Sequence, residues 1–531
     1  MVLNVQEKII QGKTSLGIEL GSTRIKTVLI TDNFQTIATG NYDWENQLID
    51  GIWTYSLEDV WKGVQESYRS MVDDVYDKYD VQLKTIGSIG FSAMMHGYLA
   101  FDKYDQLLTP FRTWRNGITE DAERILTQLF SYNIPQRWSI AHLYQALLNK
   151  ESHIQEIDFF TTLAGYVHWQ LTGEKVLGIG DASGMFPINV EKKDYNYEMI
   201  EKFDQQVAEY QVPWNLKAIL PKILLAGANA GYLTEAGARL IDPSGNLASG
   251  IPFCPPEGDA GTGMVATNSV AKKTGNVSAG TSAFAMIVLE HDLHQVYPEI
   301  DLVTTPMGDL VAMVHTNNCT SEINSWMRLF KEVIDVTGSN VSMDELYTKT
   351  FLHTFEADLD AGGLLSYGYH SGENITKIAE GRPLFVRSPE SSFTLANFMR
   401  MHIFSAFGAM KMGMDILLNE KVVIEQIVGH GGIFKTPEVA QRVLSSVVKS
   451  PVTVLENAGE GGAWGMALLA SYLIRQQENQ SLAAFLEQDV FANNEGVTIE
   501  ATTEENQGFD AFMERYEAGL SIEQAALQFF K

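Results

Sequence analysis

Apolar and polar positions alternate at the start of the chain in a pattern typical of short β-strands. An apolar run at residues 16–20 stops at Gly21-Ser22-Thr23, and a second β-type run follows at residues 25–30. Period-two alternation broken by small residues predicts a tight hairpin, within three strands over residues 14–41. Apolar residues then recur at three- and four-residue steps, which predicts an amphipathic helix over residues 57–76.

The order of predicted elements recurs in the second half of the chain. Two strands flank a Gly280-Thr281-Ser282 turn, and helices alternate with strands after it. These elements are predicted at residues 276–290, 393–418, 422–428, 436–449, 451–456 and 461–474. Thr436 is predicted as a helix N-cap, with Pro437 at the first helical position. The pattern predicts an α/β protein of mixed sheets flanked by helices, and the repeated order predicts two related lobes, at residues 1–268 and 269–531.

Composition excludes several classes of partner. The chain has 531 residues, too many for a single core, and a formal net charge of −28. This acidic balance argues against nucleic acid and anionic membranes as partners. The two cysteines, Cys254 and Cys319, are far apart and predict neither a disulfide framework nor a zinc motif. We expect a cytoplasmic protein, because there is no basic-then-apolar leader and no apolar run of about 18 residues.

The first hairpin has the composition of a phosphate-binding turn. Small residues at Gly21-Ser22-Thr23 let backbone N–H groups approach phosphate oxygens closely. Glu19, beside the tip, can hold Mg²⁺ directly or through water. A purely structural hairpin is the alternative, because it has the same local pattern. Gly12-Lys13-Thr14 imitates the end of a Walker motif, but Glu7 stands where a P-loop needs Gly.

An acid at residues 258–263, within Gly-Asp-Ala-Gly-Thr-Gly, is a candidate general base. Asp259 lies on a predicted Gly-rich turn near the domain junction, where its carboxylate can accept a proton from a substrate hydroxyl. The alternative is a turn aspartate that bonds its own backbone. Gly261, Gly263 and Ala266 also match a dinucleotide fingerprint, so a dehydrogenase is a second alternative.

Two other segments have the chemistry of a polyol site. Residues 92–97, which include Met95 and His96, follow a predicted strand. Residues 112–116 combine arginines, an amide and Trp114, and so offer planar donors for hydroxyls and an apolar face for C–H groups. Core packing is the alternative for both segments. Two further Gly-rich turns follow strands and suit phosphate, at residues 278–283 and 429–432.

The order of these motifs resembles that of the FGGY family of carbohydrate kinases, which belongs to the actin/Hsp70-like (ribonuclease H-like) ATPase superfamily. The matching pieces are the hairpin at residues 17–26, Met95-His96-Gly97, Trp114-Arg115-Asn116, Asp181-Ala182-Ser183-Gly184, Gly258-Asp259, Gly280-Thr281-Ser282 and Gly431-Gly432. The third piece corresponds to the family's Trp-Asn-Asp region, and the fourth to its Asp-Ala-Ser-Gly turn. The resemblance implies two lobes that close over the substrates in a cleft.

The resemblance implies an ATP-dependent kinase that phosphorylates the terminal hydroxyl of a ketopentose, of L-ribulose or D-xylulose type, in pentose catabolism. Asp259 is then the general base, and Glu19 and Asp259 are candidate ligands of Mg²⁺. ATP binding is assigned to Gly21, Ser22, Thr23, Lys26, Gly280, Thr281, Gly431 and Gly432. Sugar binding is assigned to Met95, His96, Trp114 and Arg115. The expected partners are a sugar and ATP, and homodimers are common in the family.

Two departures from the family pattern bear on activity and substrate. Glu19 stands where the family usually has Asp, which adds one methylene before the carboxylate. Trp114-Arg115-Asn116 introduces a cation where the family has neutral and acidic groups, and this alters hydroxyl recognition. Residues 110–116 and 136–142 resemble a bacterial branch often described as L-ribulokinases. The alternatives are a kinase of another polyol or sugar acid, or a non-enzymatic actin/Hsp70-like ATP switch.

Overall fold

The protein forms two compact units in a computed structural model that describes residues 3–455, 461–492 and 496–529. The first unit comprises Met1–Val270, Asp301–Val311 and Glu460–Asn493, and the second comprises Ala271–Ile300, Ala312–Gly459 and Asn494–Lys531. The lobe boundary at residue 268 stays a prediction, because compact units need not coincide with contiguous lobes.

Strands and helices are numbered here in chain order. The strands are β1 (Thr14–Leu20), β2 (Arg24–Thr31), β3 (Thr36–Asp43), β4 (Gln47–Ile49), β5 (Ile52–Thr54), β6 (Ser88–Ala93), β7 (Leu99–Phe101), β8 (Phe159–Thr161), β9 (Val176–Gly178), β10 (Ile188–Asn189), β11 (Asp194–Tyr195), β12 (Lys222–Leu224), β13 (Glu257–Gly258), β14 (Thr274–Ala279), β15 (Ala283–Val288), β16 (Ile300–Thr304), β17 (Leu310–Thr316), β18 (Leu365–Tyr367), β19 (Leu384–Val386), β20 (Gln426–His430), β21 (Val452–Val454) and β22 (Val497–Ile499).

The α-helices are numbered in the same way. They are α1 (Val5–Ile10), α2 (Leu57–Tyr79), α3 (Glu120–Phe130), α4 (Ser139–Leu148), α5 (Leu163–Thr172), α6 (Ile179–Ala182), α7 (Tyr197–Val207), α8 (Leu216–Ile219), α9 (Glu235–Ile241), α10 (Asp259–Ala266), α11 (Ser321–Val336), α12 (Met343–His353), α13 (Leu395–Asn419), α14 (Val439–Val448), α15 (Gly461–Arg475), α16 (Leu482–Phe485) and α17 (Thr503–Phe529). Helices and mixed sheets alternate along the chain, so the predicted α/β class is confirmed.

The first unit is built on a five-stranded sheet in the order β13-β6-β1-β2-β3. Strands β1, β2 and β3 pair antiparallel, as the alternation at residues 14–41 predicted, whereas β6 pairs parallel with both β1 and β13. The apolar side chains of β1 are fully buried, because helices cover the sheet. The parallel pairing aligns the carboxyl ends of three strands at one edge of the sheet.

Two glycines let helices of the first unit lie directly against this sheet. A Cβ at Gly17, in β1, would lie 2.1 Å from the Ala463 carbonyl oxygen of α15. A Cβ at Gly40, in β3, would lie 2.0 Å from the Ser67 carbonyl oxygen of α2. Helix α2 is the amphipathic helix predicted from residues 57–76, and its Ser56 cap accepts a hydrogen bond from the Asp59 N–H at 3.0 Å. Helix α15 therefore packs closely on β1, the strand that carries Glu19, and α2 packs closely on β3.

The second unit contains most of a seven-stranded sheet in the order β16-β17-β15-β14-β20-β21-β22. β14 pairs antiparallel with β15 and parallel with β20, which also pairs parallel with β21. The predicted hairpin at residues 276–290 is confirmed as β14 and β15. Helix α13 is buried along most of its length, and Phe404 of α13 packs edge-on against Phe509 and Phe512 of α17.

One predicted helix start is wrong. Residues after Gly431 form a short 3₁₀ turn at Gly432–Lys435, and α14 begins only at Val439. Thr436 is therefore not an N-cap, and Glu438 occupies the cap position with a φ of 69°. The 3₁₀ turn moves the predicted cap from Thr436 to Glu438, because the glycines end β20 and redirect the chain before the helix forms. Within the described residues, no helix is both long and apolar enough to span a membrane.

Candidate active site

Asp259 lies where two parallel strands of the first unit end. It is the first residue of α10 and directly follows β13, so the segment predicted as a Gly-rich turn is a helix start. Gly258 of β13 lies level with Ala93 of β6, and the Met95 N–H donates to the Asp259 carboxylate at 3.2 Å. The helix N-terminus also favours a negative charge at this position. The strand register thus brings the predicted base and the predicted sugar residue Met95 together.

Burial raises the pKa of the Asp259 carboxyl to about 6, although hydrogen bonds from the Met95 and Ala260 N–H groups act in the opposite direction. An aspartate in water has a pKa near 4. The carboxylate is still ionised at neutral pH, and its higher pKa makes it a stronger base than an exposed aspartate. In the resting protein at neutral pH the Asp259 carboxylate therefore carries its negative charge and is ready to accept a proton.

Glu19 forms an electrostatically coupled pair with Asp259. Burial and then the Asp259 charge raise the pKa of Glu19 to about 7, while the Ala463 N–H and the charge of Lys26, its partner across the hairpin, act to lower it. A divalent cation would relieve the repulsion between the two acids. Within the described residues, no group of three or more histidine, cysteine, aspartate or glutamate side chains has an arrangement that could hold a metal ion on its own. Two carboxylates still fit Mg²⁺, which takes its remaining ligands from phosphate and water.

The first hairpin tip lies beside this pair. Leu20, the last residue of β1, is level with Ala93, so Gly21-Ser22-Thr23 follows at the same edge as Asp259. The Gly21 N–H donates to the Arg24 carbonyl oxygen at 3.0 Å, which closes the turn. The tip residues are partly or fully exposed, so the turn can receive a ligand.

His96, predicted in the sugar pocket, has both ring nitrogens engaged within the protein. Its Nε2 accepts from the Arg137 Nε–H at 3.2 Å, so Nδ1 carries the proton and donates to the Gly184 carbonyl oxygen at 3.1 Å. Burial and the Arg137 charge lower the pKa of His96 to about 3, which keeps the ring neutral. Arg137 also pairs with Asp301. Arg137 was not among the candidate site residues predicted from the sequence. Its only signal was that residues 136–142 resemble the L-ribulokinase branch.

Trp114 and Arg115 lie on the surface of the first unit. Trp114 is 38% exposed, and the Arg115 guanidinium stacks over the Trp53 ring at 3.7 Å. Asn116 fixes this turn, because its side chain accepts from the Trp53 N–H and donates to the Trp53 carbonyl oxygen, each at 2.8 Å. The Trp-Arg-Asn segment therefore presents a positive charge held by a rigid aromatic support.

Two further buried acids lie behind Asp259. Glu257 accepts hydrogen bonds from the Asp181 N–H at 3.0 Å and the Gly180 N–H at 3.4 Å, at the start of α6. Asp181 accepts from the Thr162 hydroxyl at 2.6 Å. Burial raises the pKa of Asp181 to about 7 and that of Glu257 to about 8. Sequence reasoning singled out the Asp181 turn but gave no signal for Glu257, whose burial depends on long-range packing.

In the second unit, the predicted phosphate and adenosine turns lie on adjacent strands. Gly280 and Thr281 join β14 to β15, and their carbonyl oxygens accept from the N–H groups of Thr320 at 3.0 Å and Cys319 at 2.9 Å. Gly431 follows β20, the parallel neighbour of β14, with a φ of 110°, and a Cβ there would lie 2.2 Å from the Ala279 carbonyl oxygen. A Cβ at the next residue, Gly432, would have no neighbour within 4 Å.

Replacement of Glu257 by alanine removes the acceptors of two buried N–H groups. We expect Glu257→Ala to lower the free energy of unfolding by about 2–4 kcal/mol, because each unpaired buried group costs about 1–3 kcal/mol. Glu257→Gln should lose less, since it keeps one acceptor. Urea unfolding followed by circular dichroism measures both. Glu209→Ala, at an exposed site of the same unit, is the control, and an equal loss in the control and in Glu257→Ala would contradict the assignment.

Comparison with known proteins places this geometry in a family. Residues 14–265 match the N-terminal domain of the FGGY family of carbohydrate kinases, and residues 275–474 match its C-terminal domain. The chain is 22% identical over 397 residues to a Haemophilus influenzae protein named xylulose kinase, an alignment that spans 73% of this chain and 75% of that protein.

Solved structures show the same fold. A xylulose kinase from Rhodospirillum rubrum superposes with a TM-score of 0.77 at 16% identity, over 97% of this chain and 99% of that chain. A gluconate kinase from Lactobacillus acidophilus superposes with a TM-score of 0.76 at 16% identity, with the same coverage of both chains. The predicted actin/Hsp70-like fold class is confirmed, and the switch and dehydrogenase alternatives give way to a sugar kinase. Since the models of both family domains match, and together cover most of the chain, this protein belongs to the FGGY family of carbohydrate kinases.

Proposed function

We propose that this sugar kinase transfers the γ-phosphoryl group of ATP to the terminal hydroxyl of a ketopentose of L-ribulose or D-xylulose type, in cytoplasmic carbohydrate catabolism. The observation that carries the proposal is the position of Asp259 at the start of α10, in hydrogen-bond contact with Met95 and level with the Gly21-Ser22-Thr23 turn. This arrangement supports a base and a phosphate-binding turn at one edge of a single sheet.

Asp259 is the proposed general base on the sugar hydroxyl. Phosphoryl transfer has a loose transition state, so the hydroxyl proton becomes acidic only as its oxygen bonds to phosphorus. A carboxylate with a pKa of about 6 accepts that proton late and more readily than an exposed aspartate. The Met95 N–H donates to one carboxylate oxygen, which orients the carboxylate, and we assign proton transfer from the substrate to this side chain.

ATP and Mg²⁺ are assigned to the turns and acids already described. We assign the phosphates to Gly21, Ser22, Thr23, Lys26, Gly280 and Thr281, and adenosine to Gly431 and Gly432. Glu19 and Asp259 would hold Mg²⁺, which neutralises phosphate charge when bound. Glu19 contributes a carboxylate whose raised pKa reflects burial beside a like charge, and a cation removes that penalty. Lys26, across the hairpin from Glu19, adds a positive charge near the turn.

Two classes of sugar substrate have support. Ketopentoses are favoured because a relative that aligns with most of this chain is named a xylulose kinase. Met95, which contacts Asp259, and the adjacent His96 are assigned to this substrate, with Trp114 and Arg115. A sugar acid is the second candidate, because the exposed Arg115 guanidinium on Trp53 offers a fixed positive charge to a carboxylate.

A coupled ADP-release assay with MgATP tests the proposed function. The panel contains L-ribulose, D-ribulose, D-xylulose, L-xylulose, gluconate and glycerol. The proposal predicts the highest kcat/KM for one of the ketopentoses. Gluconate as the best substrate would support the sugar-acid candidate instead. No stimulation of ADP release by any sugar would contradict the proposal.

The pH dependence of kcat/KM for the sugar tests Asp259 as the base. The ionised carboxylate is the active form, so activity is full above the raised pKa and falls as pH decreases through about 6. We expect a tenfold loss for each pH unit below that value. Enzyme held at each acidic pH and assayed again at pH values above 7 controls for unfolding. A reversible rate that stays constant down to about pH 4.5 would exclude Asp259 as the base.

A further inference from the structure

Two aromatic side chains hold the first hairpin tip from one side. Trp44 directly follows β3, and its Nε1–H donates to the Gly21 carbonyl oxygen at 2.7 Å. The Tyr55 hydroxyl, just after β5, donates to the Ser22 carbonyl oxygen at 2.5 Å. The Trp44 backbone N–H donates to the Thr23 carbonyl oxygen at 3.1 Å. Three consecutive carbonyl groups of the tip therefore accept hydrogen bonds from the same pair of residues.

The two aromatic rings form a rigid support, named here the aromatic brace (Trp44 and Tyr55). Their rings stack with centroids 4.1 Å apart, and the residues are only 7% and 2% exposed. Burial raises the pKa of Tyr55 to about 12, so its hydroxyl remains a proton donor at any physiological pH. The brace thus combines fixed geometry with donors that do not titrate.

Fixing these carbonyl groups also fixes the amides next to them. In a trans peptide the C=O of one residue and the N–H of the next point in opposite directions. The Gly21 oxygen bonded to Trp44 therefore turns the Ser22 N–H away from the brace, and the Ser22 oxygen bonded to Tyr55 does the same for the Thr23 N–H. In the described part of the chain, these two N–H groups donate to no protein acceptor.

We propose that Trp44 and Tyr55 are positioning residues that pre-orient the Ser22 and Thr23 N–H groups toward a phosphate oxygen of the nucleotide. The inference rests on the proposed phosphate-binding role of this hairpin. Adjacent amides that point to one side form an anion-binding concavity. Because the brace sets their direction before the ligand arrives, binding and phosphoryl transfer require little reorganisation of the turn.

Tyr55→Phe tests the brace with the removal of a single hydroxyl. We expect kcat/KM for MgATP to fall about tenfold, whereas the KM for the sugar should change less than twofold. Tyr68→Phe is the matched control, because Tyr68 is also buried in the first unit and its hydroxyl has no hydrogen-bond partner among the described residues. The control should match the wild type. The double variant Trp44→Phe/Tyr55→Phe should show a fold-loss in kcat/KM for MgATP that is smaller than the product of the two single fold-losses, because both side chains act on the same turn.

Hydrogen exchange gives a readout that does not depend on turnover. In the ligand-free protein, peptides that cover residues 20–25 should exchange faster in Tyr55→Phe than in the wild type, with unchanged exchange elsewhere. Unchanged exchange at the tip would overturn the proposal. So would a kcat/KM for MgATP within twofold of wild type, or equal losses for ATP and sugar.

The brace and the proposed function fail in different ways. If the wild type phosphorylates no sugar, the proposed function is contradicted, and the brace is judged by calorimetric binding of a non-hydrolysable MgATP analogue. A tenfold weaker affinity in Tyr55→Phe supports the brace even then. Equal affinity in the variant and the wild type, or no binding by the wild type, overturns it.

Discussion

The parallel pairing of β6 with β1 and β13 is the constraint on which the candidate site depends. It sets Leu20, Ala93 and Gly258 level with one another, so the segments that leave the three strands emerge at one edge. The Gly21-Ser22-Thr23 turn proposed to bind phosphate, the Met95 segment and Asp259 are the continuations of those strands. A slip of one residue in either pairing would reverse the side chains and separate these groups. Gly17 adds to the constraint, because only a residue without a Cβ lets α15 lie against β1.

Buried acids around that edge place the protein in a strained electrostatic state before ligands bind. Burial raises the pKa values of Glu19, Asp181, Glu257 and Asp259. Such acids are unfavourable for stability unless protons, amides or cations compensate them. Backbone N–H groups compensate Glu257 and Asp259, whereas the Glu19–Asp259 pair has the chemistry to attract a divalent cation. Burial of these acids weakens the free protein, and a bound divalent cation would offset that cost at Glu19 and Asp259.

Local patterns predicted the elements well and the interactions between them poorly. The β1–β2 hairpin and α2 follow from periodicity and turn residues, which act over a few positions. Arg137 and Glu257 could not be found this way, because their partners Asp301 and Asp181 lie 164 and 76 positions away in sequence. Thr436 is not a cap because a 3₁₀ turn precedes the helix. Asp259 was a candidate base from its Gly-rich segment, and the resemblance in motif order supported it, but its position at the start of a helix was not predicted.

The most direct test of the account is Asp259→Asn, a change that removes the base and preserves the size of the side chain. Calorimetry of MgATP and of the preferred sugar, together with a coupled ADP-release assay, measures binding and turnover in the same protein. The account predicts loss of sugar phosphorylation by at least about a thousandfold, with both affinities within a fewfold of wild type. Turnover near the wild-type rate would contradict it, because the proton of the sugar hydroxyl would then leave through another group.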